Sequence, residues 1–321
     1  MQSTTPATEG RPVARGVAIA ITSGVAAALQ TRLHGQLGSD LNDGTLTAII
    51  SFGLGLLILL TMFVLSQNMR RGVARIGQSV RAGQLPWWLL FGGFAGALTV
   101  FSQAMTAAAI GVALFTVAMV AGQTISSLVI DRIGLGPAGV IRPTAMRLLA
   151  AGVAVVAVIV GVWSELSSGG SWLLLLPVAA GFGIGYQQAA NGRVRVAAGN
   201  AAAATLLNFS VGFTALCAAW LVTKLTGGFT PYVFPGEWWL YIGGALGVFQ
   251  VLIMAIVVQW TGVLLLGLSL IFGQLAAALV LDAFAPDIVL TGNVYVGVVL
   301  ALLAVLLASG LFRRRQTVQT A

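Results

Sequence analysis

Two glutamines, Gln30 and Gln187, sit inside long apolar runs. An amide in lipid is costly unless its donors and acceptor are paired. Each therefore either meets a solute or ties two helices together, a bond worth about 1–2 kcal/mol at most. Gln188 and Tyr186 flank Gln187, and Tyr186 could supply an aromatic wall to a site. Ser51 and Asn208 lie in the next apolar runs, as contacts to the first run or to a cavity. Gln123 and Gln274 follow Gly122 and Gly273, and each precedes an acid by eight residues, Asp131 and Asp282. Eight residues is about 12 Å of helix, just over two turns, so amide and carboxylate share a face. Such acids read either as gate or coupling carboxylates or as helix-end charges; Asp131 has Arg132 beside it. Arg32 and His34 follow Gln30. Arg32 could bind an anionic group or reach lipid headgroups; His34 is a structural residue or a proton relay. Together with the two acids they form the gate or coupling set.

With one His and one Cys in the chain, no metal, haem or iron–sulfur site is expected, and no disulfide within it. No nucleotide-binding loop, Ser–His pair or HExxH helix occurs at membrane depth. No enzyme and no cofactor is expected.

These residues need elements that can hold amides in lipid. The chain has 321 residues, 58% apolar and 7% charged, where a soluble domain carries about 25% charge. A cytosolic globular enzyme and a disordered chain are both excluded. About 20 apolar residues cross a bilayer as helix. Ten such stretches can be drawn, near 14–34, 44–66, 86–106, 110–130, 143–163, 171–191, 200–222, 238–258, 262–281 and 290–311. Residues 82–130 and 238–281 carry no charge and hold two spans each, with tight turns expected at Ala109-Ile110-Gly111 and Thr261-Gly262. The first stretch is read as an uncleaved span rather than a leader peptide. Residues 67–85 are read as a basic loop.

Basic side chains favour the cytoplasmic side. Ten spans put both termini on one side. If that side is the cytoplasm, 14 of the 16 basic residues fall inside, all but Arg32 and Lys224. Six of the eight acids fall outside: Asp40, Asp43, Glu165, Glu237, Asp282 and Asp287. Basic charge dispersed over loops in this way marks topology, not a nucleic-acid surface.

The halves repeat. A shift of 157 brings Gly24, Gln30 and Gly35 onto Gly181, Gln187 and Gly192, and Ser51-Phe52 with Gly55 onto Asn208-Phe209 with Gly212. A shift of 151 brings Trp87-Trp88, Gly92-Gly93, Gly96, Gly122-Gln123 and Asp131 onto Trp238-Trp239, Gly243-Gly244, Gly247, Gly273-Gln274 and Asp282. Five spans per half is odd, so the second half enters the membrane from the other side. Inverted repeats are characteristic of secondary transporters. The expected fold is an all-α integral membrane protein of ten transmembrane helices in two inverted five-helix repeats. The expected divisions are a cytoplasmic tail 1–12, repeats 13–165 and 166–312, and a second tail 313–321.

The motifs Gly24…Gln30…Gly35, Gly181…Gln187-Gln188…Asn191-Gly192, Ser51-Phe52-x-x-Gly55 and Asn208-Phe209-x-x-Gly212 resemble the bacterial YdcZ-like inner-membrane family of the drug/metabolite transporter superfamily. The resemblance implies a small-molecule carrier with a central cavity lined by the first four spans of each half. The small multidrug-resistance relatives carry a membrane-embedded Glu in the first span; here Gln30 and Gln187 occupy that neighbourhood. The expected function is transport of a small metabolite or drug across the bacterial inner membrane by alternating access. Two alternatives stand: proton-coupled efflux of lipophilic cations through Asp131 or Asp282, and a non-transporting membrane partner or ligand sensor. The expected partners are a small-molecule substrate and the lipid bilayer, with the protein a monomer or homodimer.

Overall fold

The computed structural model describes residues 10–137, 139, 140, 142, 144–161, 163, 175–228, 231–286, 288 and 290–308. Among these there is no strand. Glu165, Asp287, the 165/166 repeat boundary and the tail 313–321 lie outside them, as do residues 1–9.

Helix α1 runs Gly10–Leu41. Asn42 has φ +49, and the Asp43 carboxylate then accepts from the Leu46 amide at 2.9 Å, starting α2, Gly44–Leu65. The residues expected as a basic loop are helical: α3 is Gln67–Arg81. Its arginines hid a helical period. Met69, Gly72 and Ile76 recur at helical spacing and are buried, and the Ser66 hydroxyl caps the first turn through the Met69 amide at 3.3 Å. Arg70 reaches back to the carbonyls of Phe63 and Val64 at the end of α2. A 3₁₀ turn at Trp87–Phe91 leads into α4, Gly92–Ile110. Gly111, at φ +83, reverses the chain into α5, Val112–Ile133. Helix α6 is Ala145–Gly161, α7 Leu175–Ala198 and α8 Ala201–Gly227. A second 3₁₀ turn, Trp238–Ile242, precedes α9, Gly243–Ala283, and α10 is Gly292–Ala308.

Helix α9 is 41 residues of unbroken helical assignment, yet it is not a rod. Gln250 donates to the Ser23 carbonyl at 3.4 Å, while a β-carbon on the next residue, Gly24, would overlap Leu270 and Gln274. A straight helix would separate 250 from 270 by about 30 Å. The chain therefore doubles back near Trp260 and Thr261, which meet Gly16 at the start of α1. The limb from Gly243 runs antiparallel to α1, and the limb ending at Ala283 runs parallel to it. The turn expected at Thr261-Gly262 is present in the path although no residue leaves the helical assignment.

Among the described residues, six helical stretches are long and apolar enough to cross a membrane: Val13–Leu41, Gly44–Leu65, Trp87–Ile110, Val112–Ile133, Ala201–Gly227 and Leu266–Ala283. Ala145–Gly161, Trp238–Ile253 and Gly292–Leu307 are shorter apolar helices. Helix α7 belongs to neither group because Gln187, Gln188, Asn191, Arg193 and Arg195 dilute it. Large apolar side chains such as Leu57, Phe249, Phe272 and Val280 point outward, as lipid contact requires. The interior is built from Ala and Gly, which let helix axes approach closely. Helix α1 packs along α9, α5 along α7, α6 along α10 and α2 along α8.

Candidate functional site

Two helices bring amides together in the second half. Gln187 on α7 donates to Asn208 Oδ1 on α8 at 3.0 Å, and Asn208 Nδ2 donates to Asn191 Oδ1 at 3.0 Å. Helix α4 closes over this chain with bare backbone. A β-carbon at Gly96 would stand 2.5 Å from Gln187 Nε2, and one at Gly92 would stand 3.0 Å from Asn191 Oδ1. Asn208 is buried, while Gln187 and Asn191 are half-buried, so the chain of amides ends in groups that can still turn toward a solute. Asn191, one turn beyond Gln187, completes it. Its place in the motif was visible, its bond to Asn208 was not.

In the first half, a β-carbon at Gly247 would stand 3.0 Å from Gln30 Nε2. Ser51 is buried where Gly244 packs on its carbonyl. His34 is fully buried: its Nδ1 donates to Gln103 Oε1 at 2.7 Å, and Gln103 Nε2 donates to Thr31 Oγ1 at 3.1 Å. His34 Nε2 has no protein partner and faces Gly243. Gln103 carried no mark in the repeat pattern and was missed.

The two carboxylates differ. Asp282, 1% exposed, accepts from the Val112 amide at 2.9 Å and the Ala113 amide at 2.7 Å, the first amides of α5. Gly111 is confined by the same contact, since a β-carbon there would stand 2.7 Å from Asp282 Oδ2. Arg32 lies close enough for its charge to act on Asp282. Asp131 instead pairs with Arg147 on α6 at 2.6 Å, with 28% of its side chain exposed. Its sequence neighbour Arg132 projects elsewhere, about 100° around the helix. Gln123, Thr124, Ser127, Asp131, Arg147 and Ile271 line a cavity of about 170 Å³ between α5, α6 and α9. Gln123 and Asp131 do share a face. Gln274 is buried, and its backbone nitrogen abuts Gly24.

Two flanking residues lie apart from the amides. Tyr186 donates to the Trp88 carbonyl at 2.8 Å and packs among the apolar residues beneath α3. Gln188 is exposed. A cluster that sequence reasoning missed sits at the α1–α2 turn. Lys224 Nζ is 3.1 Å from Asp43 Oδ2 and lies over the Tyr232 ring, and Tyr232 donates to the same carboxylate at 2.5 Å. Burial pushes the Asp43 carboxyl up, but bonds from Tyr232 and the Leu46 amide, with the Lys224 ammonium, hold it below the ordinary value. These residues lie some 180 positions apart, and no local pattern joins them.

The family described as "Putative inner membrane exporter, YdcZ" matches residues 16–160 and again residues 172–307. No curated protein matches the chain.

Proposed function

The chain belongs to the YdcZ family, and from that premise we propose that it is a secondary transporter. It moves a small neutral or zwitterionic metabolite or drug across the inner membrane by alternating access, in the export direction that the family description names. The reading requires two inverted five-helix repeats. One observation supports it above the rest: the contacts of one half recur in the other with partners exchanged. Gly96 packs on Gln187, and Gly247 on Gln30. Gly93 packs on the Asn208 carbonyl, and Gly244 on the Ser51 carbonyl. Gly24 packs on Leu270, and Gly181 on Met119. Gly122 packs on Val178, and Gly273 on Ile21. Every pair interconverts under the 157 and 151 shifts. Such an exchange is what two repeats related by an axis in the membrane plane would produce, and it supports the arrangement that alternating access exploits.

The proposed site draws on two sets of amides, Gln187, Asn191 and Asn208 against Gly92 and Gly96 of α4, and Gln30 against Gly247 of the first limb of α9. Amides without a free charge favour a hydrogen-bonding neutral or zwitterionic solute over an ion. Proton-coupled cation efflux draws no support: Asp282 is held by two amides and Asp131 by Arg147, so neither carboxylate is free for a cation.

A thermal-shift screen of metabolites, amino acids and amphipathic cations, followed by flux into proteoliposomes, tests this reading. A ligand at a hundred times its dissociation constant stabilises a one-site protein by about 2.7 kcal/mol. The shift and the flux are expected to vanish in Gln187→Ala and Gln30→Ala proteins that remain folded. Wild-type flux in both variants would remove the site assignment.

A further inference from the structure

The cavity between α5, α6 and α9 is built differently from the amides of α7 and α8. Gln123, Thr124, Ser127 and Asp131 line it as one stripe of α5, Arg147 enters from α6, and Ile271 of α9 supplies apolar wall. The Thr124 and Ser127 hydroxyls donate to the carbonyls of Val120 and Gln123, each at 2.7 Å. Their donors are spent, so toward a solute they can only accept. Asp131 accepts as well, while Arg147 bonds to it through one nitrogen and keeps further donors. The cavity thus has an accepting side along α5 and a donating side at Arg147. Its volume of about 170 Å³ holds several waters, but it is smaller than the roughly 300 Å³ at which pockets for drug-sized ligands begin. It suits a small solute or a single polar headgroup. The repeat equivalent is filled. A shift of 151 carries Thr124 and Ser127 onto Leu275 and Ala278, both fully buried in a packed apolar cluster. Apolar side chains therefore suffice for packing at these places, and the hydroxyls beside Asp131 answer to something else.

We propose that this cavity binds a small zwitterion, its ammonium on Asp131 and the α5 hydroxyls and its carboxylate or phosphate on Arg147. The charges decide the class. Arg147 and Asp131 lie 2.6 Å apart, with 33% and 28% of their side chains exposed. An ion pair this open contributes little to stability, so it separates at little cost. A plain cation that took Asp131 would leave Arg147 without a partner, and a plain anion on Arg147 would strand Asp131. A solute that carries both charges replaces one pair by two, and no charge is left bare. Two sources supply this chemistry: a free solute of the amino-acid type, and the ethanolamine phosphate headgroup of a phospholipid. The headgroup is within reach because Asp131 is two residues from the end of α5, near the surface of the bilayer that this helix crosses. The site goes beyond the transport reading and does not depend on it, since the amides of α7 and α8 form no part of it.

Calorimetric titration of the full chain in phosphatidylglycerol nanodiscs tests the free solute. L-alanine and phosphoethanolamine serve as zwitterions, ethylamine and acetate as the separate halves. At least one zwitterion is expected to bind saturably and at least tenfold more tightly than either half. The binding is expected to disappear in the neutral pair Asp131→Asn with Arg147→Gln, which keeps the shape and the hydrogen bond. Thr124→Leu, which fills the cavity and leaves the charges in place, is expected to abolish it too. The lipid arm compares Tm in phosphatidylglycerol nanodiscs with and without phosphatidylethanolamine. A Tm raised by phosphatidylethanolamine in wild type, and not in the neutral pair or in Thr124→Leu, identifies the headgroup as the occupant. A positive result in either arm supports the site and names its source. Silence in both arms, or effects that survive in both variants, would overturn it. Binding lost in Gln187→Ala but kept in the neutral pair belongs to the amides; it would overturn the cavity site and leave the transporter reading standing.

Discussion

At the scale of single residues, the chemistry is that of groups that cannot be left alone in lipid. Asn208 solves this by accepting from Gln187 and donating to Asn191. A solute able to replace one of those bonds exchanges like for like, so binding need not leave an amide bare. The pair Gln30 and Gln187 was legible in the sequence because the same residue recurs at the same place in both halves. The roles of Asn191 toward Asn208 and of Gln103 and Thr31 toward His34 were not, since they gain their meaning only when helices distant in sequence are brought side by side. The Asp43 cluster shows the same limit and gives a pH prediction. Tyr232, the Leu46 amide and Lys224 outweigh burial and hold this carboxyl below its ordinary value of 3.8. Its folded pKa is depressed, so its contribution to stability is present above the ordinary carboxylate range and is lost as pH falls through the lowered value. The difference in Tm between wild type and Asp43→Asn is expected to be constant from about pH 7 to pH 5 and to shrink below about pH 4. A difference unchanged down to pH 3 would show that Asp43 acts only as the helix cap, a part Asn can also play.

At the scale of elements, glycine contacts set the packing, and they separate into two kinds. A β-carbon at Gly181 would overlap the Met119 carbonyl, and one at Gly244 the Ser51 carbonyl, both backbone atoms that cannot swing aside. Overpacking of this kind costs about 1–3 kcal/mol. Gly77 in α3 and Gly152 in α6 have open space instead, and alanine in a helix is favoured over glycine by up to about 1 kcal/mol. Gly181→Ala and Gly244→Ala are thus expected to lower Tm in detergent, and Gly77→Ala and Gly152→Ala to leave it unchanged or raise it. Similar Tm values in all four would mean that the helices do not meet at these faces. The spacing Gly181-x-x-x-Gly185 told of a close approach but not of its partner, since any helix can fill a flat face. Helix α3 escaped notice for the opposite reason. Arginine density dominates its composition, and its apolar side is only three buried residues wide. That helix is also where the halves are tied: Arg75 donates to the Ala198 carbonyl at the end of α7 at 3.2 Å.

At the scale of the whole molecule, six of the expected spans recur among the described residues as helices long and apolar enough to cross a membrane, because twenty apolar residues in a row have few other uses, and the doubling-back of α9 was legible because Gly262 stands where Gly111 does. The different surroundings of the two repeat-related acids were not legible. Two halves with the same motifs look alike in sequence, and only the folded chain shows Asp282 buried on the Val112 and Ala113 amides and Asp131 paired with Arg147. Orientation is a separate question, argued from charge rather than packing. Moving arginines through the bilayer costs several kcal/mol each, and the ten-span reading puts 14 of the 16 basic residues on one side, so that side is expected in the cytoplasm. Gln78 on the exposed side of α3 and Val233, 85% exposed after α8, lie at opposite ends of this arrangement. In the Cys217→Ser background, a membrane-impermeant maleimide is expected to label Val233→Cys in intact cells, and Gln78→Cys only after the cells are opened. Each site reports on its own loop, so the pair also tests the number of crossings between them. Labelling of both from outside would break the odd number of spans that inverts one half against the other. The reversed pattern would keep the inversion and turn the molecule over.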